Sequence, residues 1–259
     1  MISKPISVYQ RSLSNIKQRL KWDLTYASRI SRKQLNACYN SHVGEKAVIV
    51  CNGPSLLKID MDSLKNTFTF GLNKINLLYD KTDWRPSCIV AVNQHVIEQN
   101  ADYFNSTDIP LYLNKTGVGH VKPRKDVSFL YTGGEKGLFS KHCGGLINIG
   151  HTVTYVAMQL AFHMGFKEVG LIGCDHNFFT KGPANLAVKA EESDPNHFDP
   201  NYFSGGVTWQ LPDLVMSEYH YQIAGKNFIR GDRSIINCTV GGKLEVFPRM
   251  DLADFISKR

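Results

Sequence analysis

The stretch that decides the fold is Ala47-Val48-Ile49-Val50-Cys51-Asn52-Gly53-Pro54-Ser55-Leu56. Its first four residues are apolar, which is typical of a short buried strand. In the turn that follows, Gly53 allows a close backbone approach and Pro54 fixes the turn, while Ser55 can cap a helix or bind a phosphate oxygen. The stretch therefore predicts a strand, a tight turn and a helix N-terminus that can receive a phosphate.

Several more apolar runs follow and alternate with helical stretches, and one long helix is predicted over 152–164. Continuous apolar strands that alternate with helices are typical of a mostly parallel sheet covered on both faces. We therefore predict a Rossmann-like α/β fold with helices on both faces of the sheet. The further predicted strands are 68–72, 88–92, 109–113, 169–173 and a last one from 235.

A small polar residue follows four of these strands: Asn52, Asn73, Asn93 and Asp175. Ligands of open parallel sheets bind outside the carboxyl ends of the strands, so these residues are predicted to share one site. Each residue taken alone is more often a turn or cap residue than a ligand. The glycine and lysine spacing of a Walker loop or a G-x-G-x-x-G turn is missing, which disfavours classical P-loop kinases and nicotinamide dehydrogenases.

The chain divides into a helical extension, 1–42, and a nucleotide-binding catalytic domain, 43–259. The extension holds eight Lys or Arg and one Asp, whereas the other residues hold 22 basic and 22 acidic side chains, so the whole excess of +7 lies in the extension. Its amphipathic pattern fits an anionic membrane surface or a partner. The simpler expectation is that its apolar stripe packs on the domain and its charges are solvated.

Composition narrows the class further. The six cysteines are scattered singly, without metal-ligand spacing, so we expect buried thiols in a reducing cytosol and no metal site. Neither a membrane-spanning run nor a signal peptide is present, which predicts a cytoplasmic protein, with a peripheral place on the inner face of a membrane left open. No nucleic-acid reader motif accompanies the basic extension. A homo-oligomer is also left open.

Two further clusters carry polar residues. His197 lies in a polar, lid-type insertion of about 180–212 and can act as a general base, although a lone loop histidine is more often solvated or structural. Asn237 and Thr239 follow the last predicted strand. Either their side chains face the pocket or they only form the turn after the last strand, and the sequence favours neither alternative.

Together, Val48 to Leu56, Leu72-Asn73, Val92-Asn93 and Gly173-Cys174-Asp175 resemble the 6-hydroxymethylpterin diphosphokinase-like domain family. They are also similar to its relatives, the bacterial sialyltransferases of glycosyltransferase family 42 and the flagellin nonulosonate transferases, over roughly residues 45–250. The resemblance implies that His197 is the general base and that Asp175 matches the family's strand-end Asp. It implies contacts with a cytidine monophosphate (CMP) donor for Asn52, Ser55, Asn73, Asn93, Thr152 and Thr154.

The chain departs from the sialyltransferases at two positions. Asn177 stands where those enzymes have a tyrosine that stabilises the leaving phosphate, and Asn201 stands where their His-Tyr-x-x-His loop has its second histidine. The identity of the donor sugar is correspondingly open.

The function expected from these residues is that of an inverting glycosyltransferase. It would transfer an acidic sugar from a CMP-sugar donor to a glycan or glycolipid acceptor of the cell surface, such as lipopolysaccharide, with no cofactor required and Mg²⁺ optional. One alternative is a diphosphokinase-type enzyme that moves diphosphate from ATP to a pterin-like alcohol and needs Mg²⁺. Another is a non-catalytic module that binds a nucleotide or a glycan.

Overall fold

The computed structural model describes residues 8–133, 137–178, 182–189, 192–203 and 206–258. A seven-stranded sheet forms the centre of this part of the chain, in the order β5-β4-β3-β2-β1-β6-β9, and every neighbouring pair in it is parallel. A two-stranded antiparallel hairpin, β7-β8, lies apart from this sheet. The strands are β1 Lys46–Val50, β2 Phe68–Leu72, β3 Cys88–Ala91, β4 Leu111–Asn114, β5 Val127–Leu130, β6 Glu168–Ile172, β7 Ala187–Lys189, β8 Thr208–Gln210 and β9 Ser234–Asn237.

Seven α-helices accompany these strands in the described residues, together with short 3₁₀ helices. The predicted Rossmann-like α/β fold, with its mostly parallel sheet and surrounding helices, is thereby confirmed. The helices are α1 Val8–Asp23, α2 Tyr26–Ala37, α3 Gln94–Gln99, α4 Ala101–Ser106, α5 Val153–Met164, α6 Leu214–Arg230 and α7 Leu252–Ser257.

The order of the strands changes direction at β1, which pairs with β2 on one side and β6 on the other. In doubly wound sheets the crevice at such a switch point receives the ligand, since the connections leave in opposite directions there. In each of β1, β2 and β6, the last four residues are buried because helices or loops cover both faces. The chain segments that follow these strands therefore meet at one edge of the sheet.

Helix α5 covers one face of this switch point. Thr152 caps its first turn, and Gly165 ends it with a φ of 98°, in the left-handed region that favours glycine. Every residue from Thr154 to Met164 is buried, because α5 packs on β1, β2 and β3 and is covered by α6. The helix predicted over 152–164 thus begins one residue later than expected.

The opposite face of the sheet includes part of the predicted lid-type insertion. Phe198 and Tyr202 are almost completely buried in the apolar cluster of that face, and the Phe198 amide donates to the carbonyl of Asn52 at 2.9 Å. Trp209 on β8 belongs to the same cluster. These residues of the insertion are therefore anchored beside the first turn by hydrophobic burial.

The N-terminal extension forms two helices that relate differently to the domain. Helix α2 packs on β5, where the Ser31 hydroxyl accepts a hydrogen bond from the Phe129 amide at 2.7 Å. On α1, by contrast, Leu13, Ile16 and Leu20 are exposed. The expected packing of the apolar stripe on the domain is therefore found for α2 and not for α1.

Two other expectations are resolved by the fold. Strand β5 is absent from the strands predicted by the sequence analysis. All six cysteines are free, and all except Cys38 are buried. Among the described residues, no helix has both the length and the apolar character needed to cross a bilayer.

Candidate functional site

The turn after β1 is locked against the turn after β6. Ser55 donates to Asp175 Oδ2 through its hydroxyl at 2.7 Å and its amide at 3.3 Å, and the Gly53 amide donates to the Gly173 carbonyl at 2.8 Å. A Cβ on Gly53 would lie 1.9 Å from Asp175 Oδ2, so only glycine fits there. Asp175 and Ser55 thus hold two strand ends together, which occupies the hydroxyl predicted to bind phosphate.

A cleft opens at these strand ends and consists of two adjoining cavities. The outer cavity has a volume of about 440 Å³ and the inner one about 150 Å³. Both are lined by His151, Thr152 and His197, which shows that they are parts of one space. We call this space the cleft.

Eight of the twelve predicted site residues line the cleft. Two sit on the outer cavity, four on the inner cavity and two on both. The outer cavity is lined by Asn73 and Asn93. The inner cavity is lined by Asn52, Gly53, Thr154 and Asp175. Both cavities are lined by Thr152 and His197.

The other four predicted residues are not among those lining the cleft in the described structure. Pro54 begins the short 3₁₀ helix Pro54–Lys58, and Ser55 is bound to Asp175. Asn237 donates to the Leu244 carbonyl at 2.8 Å, and the Thr239 hydroxyl accepts from the Cys174 amide at 3.1 Å. Asn237 and Thr239 therefore brace the turns behind Asp175, which agrees with the closing-turn interpretation.

Two of the strand-end asparagines carry an unsatisfied acceptor. Asn52 Oδ1 and Asn73 Oδ1 are buried and have no hydrogen-bond partner among the described residues. Asn73 also has a φ of 50°, a conformation that costs energy and that clusters at functional sites. A buried carbonyl oxygen without a donor is unfavourable, so both positions suit a ligand that donates hydrogen bonds. Asn93 differs, because its side chain caps α3 by accepting from the His95 amide at 2.9 Å.

The N-terminus of α5 points to the cleft between two hydroxyl side chains. Thr152 Oγ1 accepts from the Thr154 amide at 3.3 Å, and Thr154 Oγ1 lies 3.7 Å from Cys51 Sγ. The hydrogen bond with Cys174 and burial both raise the pKa of the Cys51 thiol, so it stays protonated. The positive end of a helix dipole, flanked by hydroxyl side chains, is a suitable site for an anion.

His197 is held by a buried carboxylate that the sequence analysis missed. His197 Nδ1 donates to Asp194 Oδ2 at 2.7 Å, and the Asp194 side chain is only 2% exposed. Asp194 Oδ1 accepts from the Asn196 amide, and the His197 ring stacks on Tyr202 with centroids 4.0 Å apart. No described residue is bonded to His197 Nε2, so this nitrogen can accept a proton, as in a base positioned by a carboxylate.

Lys74, the residue after Asn73, ties the strand end to the aromatic residues of the insertion. Its ammonium donates to the Tyr202 carbonyl at 2.9 Å and to Gln99 Oε1 at 2.8 Å, and it lies 4.9 Å from the centre of the Phe203 ring. Burial lowers the pKa of Lys74 to about 8. This cation therefore fixes the wall that carries His197.

Two further histidines of the cleft also escaped the sequence analysis. His151 has a φ of 63°, and its Nδ1 lies 3.5 Å from Asp213 Oδ2. His176 Nε2 lies 3.0 Å from Glu218 Oε1, and burial lowers its pKa while Glu218 opposes that shift. Neither partner is close in sequence, so no local spacing could have identified these pairs.

Comparisons with known proteins place this geometry in context. Residues 11–181, more than half of the chain, match the family described as 6-hydroxymethylpterin diphosphokinase MptE-like. No curated protein matches the chain. A MAf glycosyltransferase from Magnetospirillum magneticum AMB-1 has a similar fold, with a TM-score of 0.51 and 17% identity. That match covers 88% of this chain and 39% of the other, so this chain spans well under half of its length.

The matched segment contains β1 to β6 and the cleft residues Asn52, Asn73, Thr152 and Asp175. His197 and Asp194 lie beyond it. Because this match covers more than half of the chain, the chain belongs to the 6-hydroxymethylpterin diphosphokinase MptE-like family.

Proposed function

We propose that the chain is an inverting, sialyltransferase-like glycosyltransferase. It would transfer an acidic sugar from a CMP-sugar to a hydroxyl group of a surface glycan or glycolipid. The observation that carries this proposal is the His197–Asp194 pair, whose 2.7 Å contact orients a base in a cleft at the switch point of the sheet. The Magnetospirillum protein of similar fold is a glycosyltransferase, which supports the proposal.

The nucleotide would bind through the strand-end asparagines and α5. The Oδ1 atoms of Asn52 and Asn73 lack hydrogen-bond donors among the described residues. A nucleoside supplies such donors through its ribose hydroxyls and the amine of cytosine. The phosphate would lie at the N-terminus of α5 beside Thr152, where the positive end of the helix dipole favours negative charge. One wall of the cleft therefore offers hydrogen-bond acceptors and the other end suits an anion, an arrangement that fits a nucleoside monophosphate.

In the transfer step, His197 Nε2 would accept the proton of the acceptor hydroxyl while its oxygen attacks the anomeric carbon. The bond from that carbon to the phosphate oxygen breaks, CMP leaves with the electron pair, and the configuration inverts. The Asp194 carboxylate would stabilise the imidazolium that forms. The charge of the leaving phosphate would be met by the N-terminus of α5 and by His151, whose Nδ1 lies 3.5 Å from Asp213 Oδ2.

A diphosphokinase-type reaction is the second candidate, and the description of the matching family is what favours it. This reaction would use Mg²⁺ with ATP and would need carboxylates near the phosphates. Asp175 lines the inner cavity and is the strand-end carboxylate available for that purpose, although it also accepts two hydrogen bonds from Ser55. Activity with Mg-ATP and a pterin alcohol, lost in EDTA, would favour this candidate.

The test compares His197→Ala with wild type, and uses His120→Ala as a matched control on an exposed histidine outside the cleft. A panel of CMP-sugars is supplied with surface-glycan acceptors, and release of CMP is measured. We expect transfer by wild type and His120→Ala, and a loss on the order of 100-fold or more in His197→Ala. Full transfer by His197→Ala would reject His197 as the base.

We also propose that the protein acts at the inner face of a membrane. A surface-glycan acceptor is built at or near a membrane, and the basic excess of the chain is confined to the first 42 residues. Cations near an anionic membrane surface gain attraction from its negative potential. The proposal is separate from the identity of the donor sugar.

A further inference from the structure

Helix α1 presents an apolar stripe that the domain does not cover. The side chains of Tyr9, Leu13, Ile16 and Leu20, and of Leu24 directly after the helix, recur at intervals of three or four residues, so they share one side. Each of them is more than half exposed. We call this set the α1 stripe.

The contacts between α1 and the domain use another side of the helix. Trp22 lies 6.3 Å from Tyr131, centroid to centroid, and the Arg19 guanidinium lies 4.6 Å from the centre of the same ring. Arg19 also pairs with Asp23 at 2.9 Å. The α1 stripe is therefore not the surface through which the domain holds this helix.

Exposed cations accompany the α1 stripe. Lys17 and Lys21 lie along one border of it and are both exposed, and Arg29 and Lys33 continue the basic surface on α2. The excess of +7 in residues 1–42, against a neutral remainder, makes this the basic end of the molecule. An apolar stripe bordered by cations is the pattern of a helix that lies in the interface of an anionic bilayer.

We propose that the α1 stripe docks on an anionic lipid surface, with its apolar side chains among the acyl chains and Lys17 and Lys21 against the headgroups. A second copy of this chain is a poorer occupant, because it would bring two segments of like charge together. This inference names the surface and the partner for the membrane location proposed above. It rests on that proposal and not on the transfer chemistry.

The position of α1 also orients the cleft. Its contact residue Tyr131 directly follows β5, and Lys115, which directly follows β4, lies 3.7 Å from the centre of the Tyr131 ring. Both residues are at the carboxyl edge of the parallel sheet, the edge at which the cleft opens. A helix docked on lipid would therefore hold that edge beside the headgroups.

Vesicle co-sedimentation of the full chain tests the inference, with vesicles of phosphatidylcholine alone or mixed with phosphatidylglycerol. Wild type is expected to sediment with the mixed vesicles only. Leu13→Ser/Ile16→Ser/Leu20→Ser should lose this binding, and Lys17→Gln/Lys21→Gln should weaken it by roughly tenfold or more. Val215→Ser/Ile229→Ser and Lys58→Gln/Lys226→Gln are the controls, since they change exposed residues elsewhere and should bind like wild type.

Three results would overturn the inference: no binding of wild type, equal binding to both vesicle types, or full binding by the serine variant. Self-association that the serine substitutions abolish, measured by sedimentation velocity without lipid, would assign the α1 stripe to a second copy instead. Circular dichroism and thermal melting show whether each variant is folded. Transfer from CMP-sugars to a water-soluble acceptor is assayed separately, so failure of the proposed chemistry and failure of lipid docking are distinguishable.

Discussion

His197 Nδ1 and Asp194 Oδ2 lie 2.7 Å apart, in a segment whose backbone is tied to the first strand turn. Asp194 is fixed in turn, because its Oδ1 accepts from the Asn196 amide and its own amide donates to the Pro200 carbonyl. The pair can therefore hold its geometry before any ligand binds, which is what a positioned base requires.

Asp194→Asn should lower kcat for transfer by about 10- to 100-fold while leaving KM for the CMP-sugar nearly unchanged. The amide keeps the size of the side chain but removes the charge that stabilises the imidazolium. Steady-state kinetics, with Asp102→Asn as a control at an exposed aspartate, measures the effect. If kcat is unchanged in a variant that melts like wild type, Asp194 does not position the base.

Gly53→Ala should destabilise the protein and abolish nucleotide binding. Its new Cβ would meet Asp175 Oδ2 at 1.9 Å and the Gly173 carbonyl at 2.7 Å, so the two turns must separate. Such overpacking costs about 1–3 kcal/mol in free energy of unfolding. Denaturant unfolding and CMP titration check this, with Gly119→Ala as the control because nothing lies within 4 Å of its added Cβ. A Gly53→Ala protein of wild-type stability and affinity would show that the contact between the turns is unimportant.

Lys74 should make stability increase with pH in the alkaline range. Burial lowers the pKa of the folded-state ammonium from 10.5 to about 8, so between these values the unfolded chain holds a proton that the folded chain has released. The cost of burying the charge is present below pH 8 and is relieved as pH rises through that window. Between pH 7.5 and 9.5, wild type should gain on the order of 1 kcal/mol relative to Lys74→Met. Parallel stability curves of the two proteins would contradict this.

The strand ends could be predicted from the sequence, whereas the roles of several side chains at them could not. Apolar runs at 47–50 and 68–72 are long enough to identify buried strands, and parallel strands bring Asn52 and Asn73 to the same edge. Ser55, however, turns to Asp175 across 120 residues of chain, and that choice depends on tertiary packing. Asp194 was missed because an aspartate three residues before a histidine in a loop has no periodic signal.

The edges of the fold were also hard to predict, for different reasons. Strand β5 is short, and Ser128 interrupts its apolar run with a hydroxyl that donates to Gln34 of α2 at 2.7 Å. The amphipathic pattern of the N-terminal extension indicated helices, and α1 and α2 lie there. It could not show that α2 is buried on β5 while the α1 stripe stays exposed, because periodicity defines an apolar face but not what covers it.

Asn52→Ala and Asn73→Ala should each weaken CMP binding by roughly tenfold, because each removes an acceptor that the ligand would satisfy. Isothermal titration with CMP measures the loss. Asn105→Ala is the matched control, since Asn105 is exposed and its hydrogen bonds to described residues are with backbone groups outside the cleft. Unchanged affinity in both strand-end variants would remove these residues from the nucleotide site.

The central claim, that the cleft is built for a CMP-sugar, is tested most directly by thermal shift with CMP, CDP, UDP, GDP and ATP, each with and without Mg²⁺. A ligand that binds only the folded state raises the apparent Tm. We predict that CMP gives the largest increase, without Mg²⁺, and that the increase shrinks in Asn52→Ala and Asn73→Ala. An increase with Mg-ATP alone, or none with any nucleotide, would contradict the claim.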